Sequence, residues 1–459
     1  MGDAAAGAVG HERLPDDTLL VFLSDVHIGG TAGTEIFASA AELTALLEDL
    51  RRHQGPVELV LAGDFLDLLR MGEAGHGEEL VAATIARPEY RELFAALRSF
   101  ARGRGHRVVY LAGNHDAEAW WNPRVQRSLQ QAGLVDEFAL SYAASFASHP
   151  GQLVYCEHGN QFDPSNTLVD YANPLDTPVG AHVVTDLVRP IGSGIAVTRS
   201  VDLREVSHVF PLAAIPQWAA GRIFYQFLGQ VLRWLLAPLV VAYLAYEALA
   251  AVVQAFGGSL ALRPLFLQVA YVLGLLVVAF AVVFLVSRRT TQRAVSTMAF
   301  TFPGQAPGSE RYREDVAIRR LLEDDRAPPM AGNASRLEVA VFVSGHTHAP
   351  AVAELARADG RRTVVANPGC WLRQLQPVPA WLGGPPVFVP AFVHTHLRVR
   401  SGQDGVVVEL WDHPKPAERR LPWIERAAIA GRTPRQPPPT AGPRLLGRQV
   451  AARGARRLP

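Results

Sequence analysis

Five short apolar runs in this chain are each followed directly by polar residues that can bind a metal ion. The runs begin near residues 18, 57, 106, 152 and 338, and the motifs that follow them are "DVH", "GDFLD", "GNHD", "EHGN" and "GHTH". Short apolar runs bounded by turn residues are typical of buried strands, and the amphipathic stretches at 39–53 and 88–103 predict helices. This alternation indicates an α/β fold.

Seven side chains in these motifs are candidate metal ligands. They combine carboxylate, amide and imidazole donors: Asp25, His27, Asp64, Asn114, His158, His346 and His348. Such donors suit Mn, Fe or Zn rather than Ca. Because open α/β sheets usually bind ligands at the carboxyl ends of their strands, we expect these residues to converge on one site. Seven ligands are too many for one ion, whereas two ions that share a carboxylate would use them all.

A second motif, "VHTH" at residues 393–396, has the same histidine spacing as "GHTH". It lies inside an apolar run and no glycine precedes it. Because two histidines one residue apart also fall on one face of a strand, we predict that His394 and His396 are strand residues and not ligands.

Composition excludes some partners. The 44 Lys+Arg nearly balance the 43 Asp+Glu, so the net charge of +1 gives no reason to expect nucleic acid as a partner. Lys415 is the only lysine, and this preference for arginine suggests a bacterium with a GC-rich genome.

Cys156 and Cys370 form no CxxC pair, which favours a reducing compartment and buried thiols. Residues 1–17 lack the features of a secretory signal and are expected to be a flexible N-terminus.

Two long apolar stretches interrupt the α/β pattern at 234–256 and 264–286. Each is long enough to cross a bilayer, which takes about 20 residues. Two arginines precede the pair and three follow it, whereas the connector has one, so both flanks are expected in the cytoplasm. A buried hairpin in a large soluble domain stays open as the alternative, since Glu247 weakens the first stretch.

These features predict the domain organisation. A catalytic domain over 18–205 and 300–412 is interrupted by a membrane-associated insertion over 206–293. Residues 416–459 hold ten arginines, eight prolines and two acids, and they are expected to form a disordered basic tail that could rest on anionic lipid.

Taken in order, the five motifs resemble those of the calcineurin-like metallophosphoesterases, over residues 18–200 and 300–412. The resemblance implies a four-layer sandwich of two mixed β-sheets flanked by helices, and a hydrolase of phosphoester or phosphoanhydride bonds. It also implies two divalent metal ions, with Mn expected and Fe or Zn as alternatives. One ion would be held by Asp25, His27, Asp64 and His348, and the other by Asp64, Asn114, His158 and His346.

His115, next to Asn114, is the candidate residue that would stabilise the transition state or, as a general acid, protonate the departing oxygen. The resemblance implies that Asp67 orients its ring, and Asp116 is a second candidate for that role. A carboxylate on the far nitrogen would fix the tautomer and favour the imidazolium. The alternative reading of Asp67 is a helix cap.

The strings "LSDVHIGG", "GDFLD" and "GHTHAP" are similar to the bacterial UDP-diacylglucosamine pyrophosphohydrolases, which cleave a nucleotide from a lipid at the cytoplasmic face. Those enzymes usually carry an aspartate where this chain has Asn160. Candidate substrate-binding residues are Asn160, Asp163 and Asn166, although a polar turn around the proline is an equally good reading.

The expected function is therefore a membrane-anchored dinuclear-metal phosphohydrolase that acts on a lipid-linked phosphoester or pyrophosphate. It would be a multi-pass protein of the inner membrane, with its catalytic domain and both termini in the cytoplasm, and dimerisation through the hairpin stays open. One alternative is a tethered phosphodiesterase for soluble nucleotides or nucleic acid. The other is a non-catalytic membrane scaffold.

Overall fold

The computed structural model describes residues 12–30, 35–72, 76–188, 203–210, 214–258, 268–272, 274–276, 339–356, 361–439 and 441–452, together with single residues 278, 282 and 289. All structural statements below concern this part of the chain.

The first sheet contains the strands that carry three of the motifs. Its central strands run parallel: β2 Leu19–Leu23, β3 Val57–Ala62, β4 His106–Leu111 and β5 Glu137–Ala139. Three longer strands extend it antiparallel from β2: β12 Val387–Ser401, β13 Gly405–Asp412 and β14 Arg444–Ala452. Strand β11, Trp371–Val378, pairs with β12 to form a hairpin. The first sheet is therefore mixed.

The second sheet carries the other two motifs. Its order is β1 Glu12–Leu14, β6 Ser141–Phe146, β7 Leu153–Glu157, β8 Val339–Ser344, β10 Arg362–Asn367 and β9 Ala351–Ala356. β7 and β8 run parallel with Glu157 opposite Ser344. The residues that follow them, His158 and Gly345, consequently leave the sheet side by side, and the Gly345 amide donates to the His158 carbonyl at 2.8 Å.

The two sheets pack face to face, and helices cover the outer face of the first. These helices are α1 Ala40–Arg51, α2 Leu68–Met71, α3 Gly77–Ile85, α4 Arg91–Ala101, α5 Glu118–Trp121 and α6 Pro123–Gln131; α7 Val179–His182 follows β7. Along β2, Val21 joins the helix-facing core, whereas Leu20 and Phe22 join the core between the sheets. This alternation of buried side chains is the reason a central strand reads as a continuous apolar run.

The predicted strands and helices of the catalytic domain are confirmed, as are two mixed sheets with helices and the buried free thiols of Cys156 and Cys370. A helical layer on the second sheet, which the four-layer prediction includes, is not found among the described residues. Residues 290–338, most of the chain leading into β8, lie outside them.

The insertion contains a helix at Ile215–Val231, a π-helical segment at Leu232–Leu236 and a helix at Ala237–Ala255. Within the described residues, no helix is both long and apolar enough to cross a membrane. The helix Ala237–Ala255 therefore gives no support to the membrane span predicted at 234–256. Much of the span predicted at 264–286 lies outside the described residues.

Regular secondary structure occurs in both terminal regions, 1–17 and 416–459, which were expected to be flexible or disordered. β1 lies within residues 1–17 and pairs with β6, and residues 1–11 are outside the described part. The tail prediction for 416–459 is wrong for the helix Trp423–Ala428 and for β14, which pairs along the whole length of β13. The physical reason is that an edge strand binds through backbone hydrogen bonds, which its arginine-rich composition does not remove.

Candidate metal centre

Five of the predicted ligands have an uncommon backbone conformation. Within the described residues, the non-glycine residues with positive φ are Leu382 and these five, whose φ lies between 52° and 63°: Asp25, His27, Asp64, His346 and His348. Left-handed φ is unfavourable for residues with a Cβ and persists where surrounding contacts impose it. Here the loops are tied together, since the His27 amide donates to the Asp64 carbonyl at 2.9 Å. The strained loops turn their side chains toward a common point.

The first group of side chains is formed by Asp25, His27 and His348, which are all buried. His348 Nε2 lies 3.1 Å from Asp25 Oδ1 and 3.3 Å from His27 Nε2. Asp25 Oδ1 is buried and accepts no hydrogen bond in the described part of the chain. Three donor atoms that face one another in this way, one of them an unsatisfied carboxylate oxygen, fit a divalent cation.

The second group contains Asp64, His158 and His346, with Asn114 beside them. His158 Nε2 lies 3.3 Å from Asp64 Oδ2 and 3.2 Å from Asn114 Oδ1. The same Asp64 Oδ2 lies 3.8 Å from His27 Nε2 in the first group. One carboxylate oxygen therefore faces both groups, which is the geometry that a bridging ligand requires.

The electrostatics of this cluster also favour cations. Burial opposes ionisation of Asp25, yet His348 lowers the pKa of its carboxyl to about 2. Burial likewise opposes charging of His158, but Asp64 raises the pKa of its imidazole to about 10. A buried site that holds a proton this tightly has a negative potential, and divalent ions would be stabilised by that same potential. The donor set and the charge both fit two ions.

Glycine is needed where the motif loops approach each other most closely. A Cβ placed on Gly113 would lie 2.2 Å from Asp64 Oδ1, and one on Gly345 would lie 1.8 Å from Ser24 Oγ. These contacts are far shorter than van der Waals distance. The glycines of "GNHD" and "GHTH" accordingly make room for the ligands.

Asp67 contacts both the candidate acid and a candidate ligand. Its Oδ1 lies 2.9 Å from His115 Nδ1, and its Oδ2 lies 3.1 Å from His27 Nδ1 and 2.9 Å from Arg70 Nε. Asp67 also caps α2, because its side chain accepts from the Arg70 amide. It therefore makes both contacts that the sequence suggested, one with the His115 ring and one with the start of a helix. Although burial favours the neutral acid, His115 and His27 hold the pKa of Asp67 well below its usual range. Burial opposes protonation of His115, but Asp67 raises its pKa.

Asp116, the second candidate partner of His115, makes other contacts. Its carboxylate accepts hydrogen bonds from the Phe65 amide at 2.9 Å, the Gly113 amide at 2.6 Å and the Tyr110 hydroxyl at 2.6 Å. These three donors tie the loop of "GDFLD" to that of "GNHD". Asp116 thus joins the motif loops, and Asp67 is the residue that contacts the His115 ring.

The three candidate substrate residues lie in one loop after β7. Asn160 is fully buried; it accepts from the Tyr171 hydroxyl at 2.6 Å and donates to the Asn166 carbonyl at 2.9 Å. Its amide is thus enclosed within the loop, and its role in substrate binding stays a prediction. Asn166 Oδ1 accepts from Asn114 Nδ2, and Asp163 Oδ2 lies 3.1 Å from His346 Nε2. These two side chains orient candidate ligands.

Sequence reasoning missed a further contact at this site. The ring of Phe210 stacks on His348 with centroids 4.3 Å apart. Phe210 follows the 3₁₀ helix Leu203–His208 of the insertion, and His208 Nδ1 lies 3.1 Å from the Arg373 carbonyl on β11. No periodicity or motif marks this segment, so only the tertiary structure reveals that it reaches the metal centre.

A family model described as calcineurin-like phosphoesterase matches residues 18–186. The matched region contains the first four motifs and ends before the insertion, whereas the "GHTH" motif lies beyond it. A search of curated proteins found no relative that matches the chain.

Proposed function

Because this chain belongs to the calcineurin-like phosphoesterases and is a hydrolase of phosphoester bonds, we propose that it cleaves a lipid-linked phosphoester or pyrophosphate with two divalent ions. The observation that carries the dinuclear proposal is the position of Asp64. Its Oδ2 lies within 3.8 Å of a histidine in each group of candidate ligands, so a single carboxylate can serve both.

Two sets of residues would hold the ions. Asp64 belongs to both; the first set adds Asp25, His27 and His348, and the second adds Asn114, His158 and His346. Bound divalent ions supply Lewis acidity that activates water and neutralises charge on the phosphoryl oxygens. We propose Mn as the metal, with Fe or Zn as the alternatives that nitrogen and oxygen donors also suit.

His115 would hold the proton that the departing oxygen needs. Its Nδ1 is engaged by Asp67, so Nε2 is the nitrogen that can reach the substrate. The His115 side chain is 14% exposed, more than the other histidines of the cluster, so it is the imidazole of the cluster most open to a substrate. The raised pKa of His115 supports a protonated ring that donates to the leaving group.

The lipid substrate and the membrane location rest on the surface of the insertion. The helix Ala237–Ala255 exposes five large apolar side chains: Val240, Val241, Leu244, Leu249 and Val252. This many exposed apolar side chains mark an interaction surface, although Glu247 on the same helix is also exposed, and a bilayer is the partner that the flanking arginines favour. Such attachment would keep the catalytic domain and both termini on the cytoplasmic side of the inner membrane.

Product analysis by mass spectrometry tests the proposal. The Mn-loaded, detergent-purified protein is incubated with a polar-lipid extract and, separately, with soluble nucleotides. Asp64→Asn is the inactive variant, and Asp404→Asn, in the exposed turn after β12, is the matched control. Release of phosphate or nucleotide from lipid by wild type and Asp404→Asn alone supports the proposal. Cleavage confined to nucleotides would contradict the lipid substrate, and equal turnover by Asp64→Asn would contradict the dinuclear site.

A further inference from the structure

The hairpin of β11 and β12 connects the metal centre to an exposed apolar loop. At its base, the Trp371 amide donates to the Asp25 carbonyl at 3.2 Å. β11 then runs for eight residues, roughly 26 Å at about 3.3 Å per residue, before the chain turns at residues 379–386. We call these residues the tryptophan loop. The loop therefore lies at the end of the hairpin that is distant from the ligands.

The tryptophan loop presents large apolar side chains to solvent. Trp381 is 52% exposed and Leu382 is 89% exposed. Trp423, at the start of the helix Trp423–Ala428, is 53% exposed. Ile429, which follows this helix, packs in one cluster with Ala380 of the loop. Isolated exposed apolar residues are ordinary, but two tryptophans and a leucine on segments that pack against each other mark an interaction surface.

The loop is held in place although its tip is exposed. The Trp381 indole Nε1 donates to the Ala430 carbonyl at 2.8 Å, and the Arg432 guanidinium lies 3.8 Å from the centroid of the ring. Arg432 also donates to the Ala380 carbonyl at 3.0 Å. Leu382 keeps a φ of +58°, which is unfavourable for leucine, and its exposed side chain gains no packing in return. Such strain at an exposed tip suggests that the tip has a binding role.

The charge around the loop is complementary to anionic lipid. Residues 416–439 contain five arginines and two glutamates, and Arg426 and Arg435 are exposed. Of the two acids, Glu425 is buried and paired with Arg222 at 3.0 Å. Exposed arginines beside tryptophans match the interface of a bilayer, where aromatic rings lie at the level of the headgroups and cations meet the phosphates.

The loop is also continuous with the apolar surface of the insertion. Tyr225 Oη donates to the Pro385 carbonyl at 2.5 Å, which fixes the helix Ile215–Val231 against the loop. The other side of this helix exposes Ile223 by 61% and Phe227 by 51%, and the chain leads directly into Ala237–Ala255. A protein attached through the insertion would thus bring the tryptophan loop to the same surface.

We propose that the tryptophan loop inserts into the interfacial layer of an anionic phospholipid bilayer, with Trp381 and Leu382 among the headgroups and Arg426 and Arg435 on their phosphates. This inference rests on the membrane attachment proposed above and adds the surface that orients the catalytic domain. Contact at both the insertion and the loop would fix the height of the metal centre above the bilayer.

A fluorescent probe at the tip tests the proposal in the full-length protein. Leu382→Cys is labelled with a thiol-reactive, polarity-sensitive dye; the native Cys156 and Cys370 are buried and do not compete. Asp404→Cys, at the opposite end of the 15-residue strand β12, is the matched control. Each labelled protein is reconstituted in phosphatidylcholine vesicles with or without phosphatidylglycerol and with brominated lipid as quencher.

We expect blue-shifted emission and quenching at position 382 but not at 404, with a stronger effect in phosphatidylglycerol. Arg426→Gln with Arg435→Gln should reduce that lipid dependence. Equal signals at the two positions in protein that floats with the vesicles would overturn the loop contact and leave membrane attachment intact. Failure to float would overturn both, while hydrolysis of bis(p-nitrophenyl) phosphate on the same sample reports on the catalytic proposal separately. A shift that depends on protein concentration without lipid would assign the loop to self-association instead.

Discussion

The same histidine spacing occurs twice in this chain, and its two copies lie in different backbone conformations. In "GHTH", His346 and His348 both have positive φ and follow Gly345, the first residue after β8. In "VHTH", His394 and His396 lie in β12, opposite Trp371 and Trp411 of the neighbouring strands. The strand prediction for the second pair is confirmed.

The chemical surroundings of the two pairs differ as much as their backbones. His346 and His348 contact carboxylates, at 3.1 Å from Asp163 and from Asp25. His394 Nε2 instead lies 2.6 Å from Ser39 Oγ, and the Arg398 Nε donates to His396 Nε2 at 3.0 Å. A cation is stabilised in the first setting and repelled in the second. The spacing of two histidines therefore indicates a metal site only when the pair lies in a turn and carboxylates from other segments of the chain lie next to it.

The largest expected difference is in catalysis. His348→Asn should lower kcat/KM at least about a hundredfold, because loss of outer-shell partners alone costs 10- to 100-fold. Bound metal, measured by plasma mass spectrometry, should fall in parallel. His394→Phe is the comparison variant from the other pair. A similar loss of activity per folded molecule in His394→Phe would contradict the distinction between the two motifs.

Asp67→Asn tests the contribution of a carboxylate at this site, because it removes the charge of Asp67 and leaves both histidines of "GHTH" in place. Asparagine still caps α2, but it no longer provides two anionic acceptors for His27 and His115. We expect kcat per folded molecule to fall about ten- to a hundredfold. The basic limb of the pH–rate profile should also move to lower pH, because His115 loses the charge that raises its pKa. An unchanged profile would contradict the role given to Asp67.

The strand pair should affect stability rather than catalysis. His394→Phe keeps a ring against Trp371, whose centroid lies 5.2 Å away, but leaves the Ser39 hydroxyl and the His413 carbonyl without their partner. Loss of a partner for buried polar groups should lower the free energy of unfolding by about 1–3 kcal/mol. Urea unfolding measures this change. Unaltered stability would show that these hydrogen bonds contribute nothing net.

The last expected effect is on the pH dependence of stability. Burial, with Lys415 nearby, lowers the pKa of His394 to about 3; burial and Arg398 lower that of His413 to about 4, although Asp49 opposes this. Unfolded histidine titrates near 6.5, so the unfolded chain binds more protons below that pH. Stability should be fully present above about pH 6.5 and fall toward pH 4, on the order of 1.4 kcal/mol per unit per histidine.

The comparison for this effect is between wild type and His394→Phe, unfolded in urea at a series of pH values. The slope of unfolding free energy against pH should be smaller in the variant, because it has one fewer buried neutral imidazole. Equal slopes would show that His394 binds protons alike in the folded and unfolded chains. The carboxylates of the metal centre are common to both proteins and cancel in the difference.

Much of the fold could be predicted, for identifiable reasons. β2, β3 and β4 can be predicted because most of their side chains are apolar and buried on both faces, although Glu58 interrupts β3 and two polar residues begin β4. β14 was missed because an edge strand is held by backbone hydrogen bonds that leave no compositional signal. The site was found through motifs at strand ends, yet the pairing of Asp163 with His346 was not, since it joins two loops distant in sequence.

The sequence by itself determined which chemistry is available, because donor types and strand-end positions are local properties of the chain. It thereby identified the candidate ligands, the candidate general acid and a resemblance to the family whose model matches residues 18–186. Only the tertiary structure determined that Asp67 rather than Asp116 contacts His115, that Asn160 is enclosed, and that Phe210 of the insertion stacks on a ligand. These facts depend on how loops from separate strands pack against one another, and no local pattern encodes such packing.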